Sequence, residues 1–249
     1  MLAPLGIQQG QSFNPDDRQK GILTEAARVG EIMARTNAFE KRLPGAEVWP
    51  GTHWEYANMV ELNPEGKTYA QLDERGSWFY EAIANSAGMQ GRILGFGQAY
   101  LETSKDKDGE WLIGDSNYRF HVPPNPPVKQ FWSITLYDNI TLGPAIADQG
   151  ASDLSSRKPD LIKNSDGSVD VYIGPTQREG QKNWIKTTAG KGWFPYFRFD
   201  GSDGTILQQE LVASRHRETE VMKLSLFSSS SSCSKESRSR TKVDQVKQN

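Results

Sequence analysis

The chain has 249 residues, of which 36% are hydrophobic, and its 29 basic and 31 acidic side chains leave a formal net charge of −2. This length is enough for one sizeable core, and the balanced charge excludes an overall bias towards nucleic acid or an anionic membrane surface. The single cysteine, Cys233, excludes an internal disulfide and a cysteine-based metal pattern.

The first residues, "MLAPLGIQQGQSF", contain neither a cationic segment nor a long apolar run, so they do not resemble a signal peptide. No window of the sequence approaches the roughly 18 apolar residues of a membrane span. As written, the chain is expected to be cytoplasmic, with no membrane and no nucleic acid among its partners.

Residues 1–92 are predicted to form a helical N-terminal segment. The stretch "FNPDDRQKGILTEAARVGEIMARTNAFEKRL" is typical of a long amphipathic helix. We predict Asn14 as its N-cap, Pro15 at its first position and an end near Leu43, before a Pro-Gly pair that cannot continue it. The apolar stripe at helical spacing comprises Ile22, Ala26, Val29 and Met33.

The next stretch, residues 46–69, is aromatic and has no clear period, which indicates a packed connection. It is followed by "AQLDERGSWFYEAIANSA", for which we predict a second helix. The predicted stripe of this helix comprises Leu72, Gly76, Phe79, Ile83 and Ala87.

From residue 93 the hydrophobic period changes from 3.6 to 2, which predicts a β-domain over residues 93–201. The strand-like runs are "ILGFGQAYLETS", "EWLIG", "NYRFHVP", "KQFWSITLYD", "VDVYIGP", "NWIKTT" and "WFPYFRF". The pairs Asp108-Gly109 and Asp166-Gly167 predict tight turns between such runs. We therefore expect a mainly β fold, an antiparallel β-sandwich or jelly roll, with the N-terminal helices packed against it.

The run "QFWSITLYDN" predicts a strand with two different faces. Its uninterrupted apolar side is expected to face the core between the sheets and comprises Trp132, Ile134 and Leu136. The other side is expected to face a cavity or the helical cover and comprises Phe131, Ser133, Thr135 and Tyr137.

Residues 202–249 end in the polar, serine-rich run "SSSSSCSKESRSRTKVDQVKQN". Such a composition cannot bury enough apolar surface to offset the entropy of ordering, so a disordered tail is predicted. The stretch "SDGTILQQELVASRHRETEVMKLSLF" before it could hold a short helix.

The motifs "GSWFYEAIANSA", "YRFHVPPNPPVKQFWSITLYDNIT", "LIKNSDGSVDVYIGP" and "NWIKTTAGKGWFPYFRFDG" together resemble the DUF1214 family, a domain of unknown function. The resemblance runs from about Leu5 to Gly201. It implies a companion domain, DUF1254, before this one, often preceded by an export signal. Here the chain starts close to that junction and ends in an atypical tail, so we expect a truncated gene model that lacks its companion domain.

No catalytic or metal motif is recognisable. The three histidines, His53, His121 and His216, have no helical i, i+4 spacing, and no G-x-S-x-G elbow, phosphate loop or dinucleotide fingerprint is present. No cofactor is therefore predicted. Aspartates at strand ends and turns, Asp138, Asp166, Asp170 and Asp200, are candidates for an acid/base pair, although a turn-cap role is the favoured explanation for each.

The strongest functional signal is a concentration of aromatic and polar residues in the β-domain. The candidate ligand-binding residues are Tyr137, Asn183, Trp184, Trp193, Tyr196 and Arg198. Aromatic faces stack on sugar rings or flat apolar ligands, but they also fill ordinary β-cores. Arg198 lies between aromatic residues, where a charge is costly unless it meets a carboxylate or a ligand anion.

Three functions remain open. The first is binding of a carbohydrate or another small organic ligand on an aromatic-rich sheet face. The second is a hydrolase-type enzyme at a cleft with the companion domain, for which Asp138, Asp200 and Arg198 are the candidate catalytic residues. The third is a structural or interaction module, in which the N-terminal helices dock a partner.

Overall fold

The computed structural model describes residues 2–61, 65, 69–82, 98–148 and 150–201, and the backbone of residues 212–215. These residues form two helices, nine strands and a short 3-10 turn at Ala3–Leu5. The predicted mainly β class is confirmed, since the strands make two stacked sheets with the helices at the N-terminal side of the chain.

The first helix, α1, spans Asp17–Phe39 and begins later than predicted. Its N-cap is Asp16 rather than Asn14, because Asp16 accepts from the backbone N–H of Gln19 at 2.7 Å while Gln19 accepts in return from the backbone N–H of Asp16 at 3.2 Å. The helix ends at Phe39 instead of near Leu43, with Glu40 as its C-cap.

Most of α1 lies on the surface. Only Ala38 and Phe39 in its last turn are buried, and three residues of the predicted stripe, Ile22, Val29 and Met33, are 47%, 55% and 56% exposed. For this helix, the expected packing on the β-domain is therefore confirmed only at its C-terminal end.

The connection after α1 is packed, as predicted, and contains the two-residue strand β1, Glu55–Tyr56. The second helix, α2, spans Leu72–Ala82 within the described residues. Its predicted stripe was wrong, because Leu72 and Phe79 are 56% and 65% exposed. The helix buries instead Ser77, Trp78 and Glu81. Ile83 and Ala87, the other predicted stripe residues, lie outside the described residues.

The larger sheet contains five strands in the order β1-β2-β8-β4-β5, all antiparallel. Besides β1, the strands of this sheet are β2 at Gln98–Glu102, β4 at Trp132–Asp138, β5 at Asp153–Ser155 and β8 at Trp193–Asp200. We call it the first sheet.

The second sheet has the order β7-β6-β3-β9. It consists of β3 at Tyr118–Val122, β6 at Val169–Gly174, β7 at Trp184–Lys186 and β9 at Val212–Arg215. The pairing of β6 with β7 is parallel, which differs from the fully antiparallel sheets expected. Strand β9 pairs with β3, in a range for which a disordered tail or a short helix was predicted. Apart from β9, residues 202–249 lie outside the described residues.

One predicted strand is absent from the sheets. The run "EWLIG", residues 110–114, makes only isolated bridges, between Lys105 and Trp111 and between Ile113 and Gly192. Both Asp-Gly turns are confirmed, with Gly109 at φ 81° and Gly167 at φ 87°.

The first sheet has two distinct faces. Its inner face packs on the second sheet in the main core, and the predicted inward residues Trp132, Ile134 and Leu136 lie there. Its outer face packs on the ends of the helices, and Tyr137 lies on that side as predicted. Neither described helix combines the length and the apolar character that a membrane-spanning segment requires.

Candidate ligand-binding site

The structure brings three of the six predicted ligand-binding residues together on the outer face of the first sheet. Tyr137, Tyr196 and Arg198 lie on neighbouring strands, and the Tyr137 and Tyr196 ring centroids are 4.8 Å apart. Arg198 donates from Nη2 to the Tyr137 hydroxyl at 2.9 Å. Tyr100, which the sequence did not single out, lies opposite Arg198 on β2, with the guanidinium carbon 5.3 Å from its ring centroid.

A buried ionic cluster lies between this outer face and α2. The Lys41 ammonium is hydrogen-bonded to Glu102 and to the carbonyl of Ala38, and it lies 3.6 Å from the Glu81 carboxylate. The Tyr196 hydroxyl donates to Glu81. The side chains of Lys41, Glu81 and Glu102 are 1%, 0% and 2% exposed, so these bonds form without competition from bulk water.

The ionic cluster contains more acid than base. Glu55 also approaches it, accepting from the backbone N–H of Lys41 at 3.3 Å. Burial raises the pKa of both Glu55 and Glu81. Burial and the neighbouring Glu81 likewise hold the pKa of Tyr196 well above its ordinary value. Tyr196 is thus a protonated donor inside the ionic cluster, which explains its burial without any ligand.

Asn183 and Trp184 lie on the second sheet and do not join this group. The Asn183 amide group bonds to the backbone of Ile162 in both directions and donates to the carbonyl of Asp170. Its hydrogen-bonding groups therefore hold the chain before β7 in place. Trp184 lies on β7, opposite Tyr172 of β6. The predicted six-residue binding set is thus divided between different parts of the sandwich.

The two candidate catalytic aspartates do not converge. Asp138 lies opposite Trp193 and Asp200 opposite Gln98, at the two ends of β8. Seven residues of strand separate these ends, which is roughly 20 Å. A mechanism that uses both carboxylates on one bond is therefore excluded by the register.

Each of the candidate aspartates also has a local role. Asp138 accepts from the backbone N–H groups of Ile140 and Thr141 at 2.9 and 2.8 Å. Burial raises its pKa, but these bonds and nearby Lys191 outweigh that effect and leave the pKa below its ordinary value. Asp200 accepts from the Gln98 amide at 3.0 Å.

Asp166 and Asp170 also make local bonds. Asp166 accepts from the backbone N–H of Ser168 at 2.9 Å, and the hydroxyl and backbone N–H of Ser168 hold the pKa of Asp166 below its ordinary value. Asp170 lies 2.8 Å from a ring nitrogen of His121. The turn role considered for these aspartates thus accounts for the contacts of Asp138 and Asp166, whereas Asp170 and Asp200 contact side chains on neighbouring strands.

Trp193 lies at a different place, beside a cavity of about 290 Å³. The cavity opens to the surface and is lined by the last turn of α1, the chain between β2 and β3, the end of β4 and the start of β8. Its lining residues are Arg35, Thr36, Phe39, Glu40, Ser104, Trp111, Asn139 and Trp193. We call it the Trp193 cavity.

The Trp193 cavity combines aromatic walls with polar groups. Phe39 and Trp193 are 9% and 5% exposed, whereas Trp111 is 49% exposed and forms an accessible aromatic surface. Lys105 donates to Glu40 at 2.8 Å and lies 4.9 Å from the Trp111 ring centroid. This hydrogen bond is the main reason that the pKa of Glu40 is lowered, so Glu40 is ionised and neutralised by Lys105 at neutral pH.

Most of the cavity residues were missed by sequence reasoning. Arg35, Phe39 and Glu40 belong to a helix, and Trp111 belongs to a run interpreted as a strand. Asn139 follows the "TLYD" strand end, and its amide lies over Gly192, where an added methyl group would come within 2.2 Å of the Asn139 nitrogen. Two features of the sequence could have pointed to this cavity: the "NIT" that follows the strand, and the glycine before Trp193.

Within the described part of the chain, no group of three or more His, Cys, Asp or Glu residues has the geometry to hold a metal ion. The polar groups of the Trp193 cavity are suited instead to hydrogen bonds with an organic ligand. The buried indole N–H of Trp193 has no hydrogen-bond acceptor among the described residues.

Residues 97–203 match the model of the family DUF1214, "Protein of unknown function". This match confirms the resemblance drawn from the strand motifs for that part of the chain. The matched range contains Arg198, Tyr137 and Trp193, whereas the α1 residues of the cavity lie before it. No curated protein matches the chain.

Two solved structures are similar to the chain. One is a protein from Vibrio parahaemolyticus, at 17% identity and a TM-score of 0.48, with 86% of this chain and 49% of that chain covered. The other is an uncharacterized protein from Burkholderia cenocepacia, at 14% identity and a TM-score of 0.36, with 86% and 47% covered. This chain thus spans about half the length of each.

Proposed function

We propose that this DUF1214 protein is a binding module that holds a small organic ligand, a carbohydrate in the first instance, in the Trp193 cavity. The observation that carries the proposal is the combination in one cavity of three aromatic rings with the polar side chains of Asn139, Ser104 and Arg35. Ligand pockets typically show this composition, mainly apolar walls with a few convergent polar groups.

The size and charge of the cavity narrow the ligand class. A volume of about 290 Å³ lies at the lower end of the range of roughly 300–1,000 Å³ found for small-molecule pockets. The Glu40 carboxylate is already paired with Lys105. A compact ligand with hydroxyl groups, such as a monosaccharide, can stack on Trp111 and exchange hydrogen bonds with the Asn139 amide and the Ser104 hydroxyl.

The test is calorimetric titration of the chain with a panel of monosaccharides and matched apolar ring compounds. The discriminating variant is Trp111→Ala, because Trp111 is 49% exposed and its loss should leave folding nearly intact. We expect at least one sugar to bind the wild type and to bind Trp111→Ala roughly tenfold more weakly, the usual scale for removal of a central aromatic contact.

Phe79→Ala is the matched control, since Phe79 is another exposed aromatic residue, 65% accessible, on α2. It should leave sugar affinity unchanged. Equal loss of affinity in both variants, or no binding of any compound to a folded wild type, would overturn the proposal.

The hydrolase alternative receives less support. Glu40 is the one carboxylate among the described lining residues of the Trp193 cavity, and it is paired with Lys105. Acid/base cleavage of a glycosidic bond usually requires two carboxylates that flank the bond. An enzyme at this cavity would therefore depend on groups outside the described residues.

The interaction alternative is favoured by one observation, the exposure of apolar side chains along α1. Ile22, Val29, Ile32 and Met33 are 47%, 55%, 67% and 56% exposed. A helix face of this kind is suited to contact with another protein surface, such as the companion domain expected from the family resemblance. A monomeric wild type that unfolds cooperatively, with unchanged solubility in Val29→Lys, would contradict this alternative.

A further inference from the structure

The outer face of the first sheet carries a cation that no described carboxylate neutralises. The Arg198 guanidinium is half-buried on the central strand β8, and no carboxylate of the described residues forms an ion pair with it. A half-buried charge without a partner loses hydration and gains little in return. Of the two expected partners of Arg198, a carboxylate or a ligand anion, the described residues supply no carboxylate.

The hydrogen bonds of the guanidinium are also incomplete. An arginine side chain has five N–H donors, and with the described residues Arg198 uses one of them, from Nη2 to the Tyr137 hydroxyl. Its Nε is buried and has no acceptor among the residues that the structure describes. Tyr137 and the Tyr100 ring fix the position of the group without supplying negative charge.

The neighbouring acids among the described residues form no ion pair with Arg198. Asp200, two residues along the same strand face, accepts from Gln98. Glu102 and Glu81 belong to the ionic cluster around Lys41. These bonds leave Arg198 as an oriented cation among aromatic rings, which is the environment in which arginine recognises planar anionic groups.

We propose that Arg198 is an anion-binding site that takes the carboxylate of a small organic acid, with Tyr100 and Tyr137 beside it for the organic part of the ligand. A carboxylate has two oxygens in the plane of the guanidinium and can accept two parallel N–H bonds. This site is separate from the Trp193 cavity, because Arg198 is five residues further along β8, or roughly 16 Å. Its existence does not depend on sugar binding in that cavity.

The experiment is a titration of the chain with acetate, benzoate and inorganic phosphate at constant ionic strength, with chloride as the reference salt. Binding is followed by calorimetry and by the shift of the melting temperature. We expect saturable binding of benzoate, weaker binding of acetate, and little response to chloride. Benzoate should be preferred over acetate because its ring adds aromatic contact with the tyrosines beside the guanidinium.

Two variants locate the site. Arg198→Lys retains the charge but not the planar pair of donors, and Arg198→Gln removes the charge; each should weaken benzoate binding about tenfold or more. If Arg198→Gln fails to fold, as judged by circular dichroism, Arg198→Lys still decides the outcome. Trp111→Ala should bind benzoate like the wild type, which distinguishes this site from the Trp193 cavity.

The proposal is overturned if benzoate and acetate bind wild type and Arg198→Lys equally, or if no carboxylate gives saturable binding. Phosphate bound more tightly than benzoate, and lost in Arg198→Lys, would also overturn the assignment to a carboxylate.

Discussion

The inner and outer faces of the first sheet are made by the same strands and differ in chemistry. On the inner face, Trp132, Ile134, Leu136, Phe197 and Phe199 are at most 3% exposed and form one apolar core with the second sheet. On the outer face, the side chains of Glu102, Tyr196 and Arg198 alternate with apolar neighbours and must find polar partners.

The two faces therefore have different roles: the inner face stabilises the fold, and the outer face offers polar groups to a ligand. The inner face is almost entirely apolar, with the buried indole N–H of Trp193 as an exception among the described residues, so its main contribution is burial of apolar surface. On the outer face, Tyr196 donates to Glu81 and Glu102 is bonded to Lys41, although one oxygen of each carboxylate lacks a hydrogen bond within the described chain. Arg198 differs because no carboxylate among the described residues pairs with its charge. The groups that the fold leaves without partners are where a ligand has the most to contribute.

The largest expected effect is on the inner face. Phe197 is fully buried, with ring centroids 4.3 Å from Phe199 and 5.2 Å from Phe120. Phe197→Ala should lower the free energy of unfolding by about 3–5 kcal/mol, measured by urea denaturation. The matched change Phe79→Ala on the exposed side of α2 should cost no more than about 0.5 kcal/mol. Similar costs for both changes would contradict the assigned faces.

The next effect is in the ionic cluster of the outer face. Lys41→Met removes the cation that lies against Glu81 and Glu102, and it should cost about 3 kcal/mol because the buried acidic groups lose their positive partner. Adding Glu102→Gln to Lys41→Met should recover part of this loss. If the two changes instead add without coupling, the ion pair does not hold these elements together.

The same cluster predicts a pH dependence. Because burial raises the pKa of Glu81, the folded chain binds this proton more tightly than the unfolded chain does. Its contribution to stability is therefore complete below the unfolded pKa of about 4.5 and is lost as pH rises through the folded-state value.

Glu81→Gln keeps an acceptor for the Tyr196 hydroxyl but cannot ionise. The difference in unfolding free energy between wild type and Glu81→Gln should therefore shift against the wild type above pH 4.5, by up to about 1.4 kcal/mol per pH unit. Urea denaturation at a series of pH values gives this slope, and a difference independent of pH would contradict the raised pKa.

The smallest effect is expected at Asp138. Asp138→Ala should cost about 1 kcal/mol, because two backbone N–H groups lose their acceptor. Asp138→Asn should cost less, since the amide oxygen can still accept both bonds. A cost for Asp138→Asn equal to that of Asp138→Ala would show that the charge facing Lys191, rather than the turn, is what matters.

The parts of the fold predicted from sequence are those with a strong local pattern. The alternation in "QFWSITLYDN" gave the two faces of β4, and the Asp-Gly pairs gave the turns. Strands β1 and β5 were missed, because two or three residues at a sheet edge contain too little alternation to detect. The parallel pairing of β7 depends on where the long connection before it returns, which no local pattern encodes.

The candidate sites were also predicted only where a local sequence pattern marks them. The sequence singled out Arg198 and Trp193 because a charge and a large ring in one aromatic run are unusual. It did not bring Phe39 and Arg35 to Trp193, since that contact joins a helix end to a strand more than 150 residues away. It also placed Asp138 and Asp200 in one hypothetical site, although the antiparallel register separates them.

The most direct test of binding in the Trp193 cavity is a crystal structure of the chain soaked in a concentrated mixture of monosaccharides. If the cavity binds a sugar, ring-shaped density is expected against Trp111, within hydrogen-bonding distance of the Asn139 amide or the Ser104 hydroxyl. A well-ordered cavity that contains water alone, in crystals where Trp111 and Arg35 remain accessible, would contradict the account.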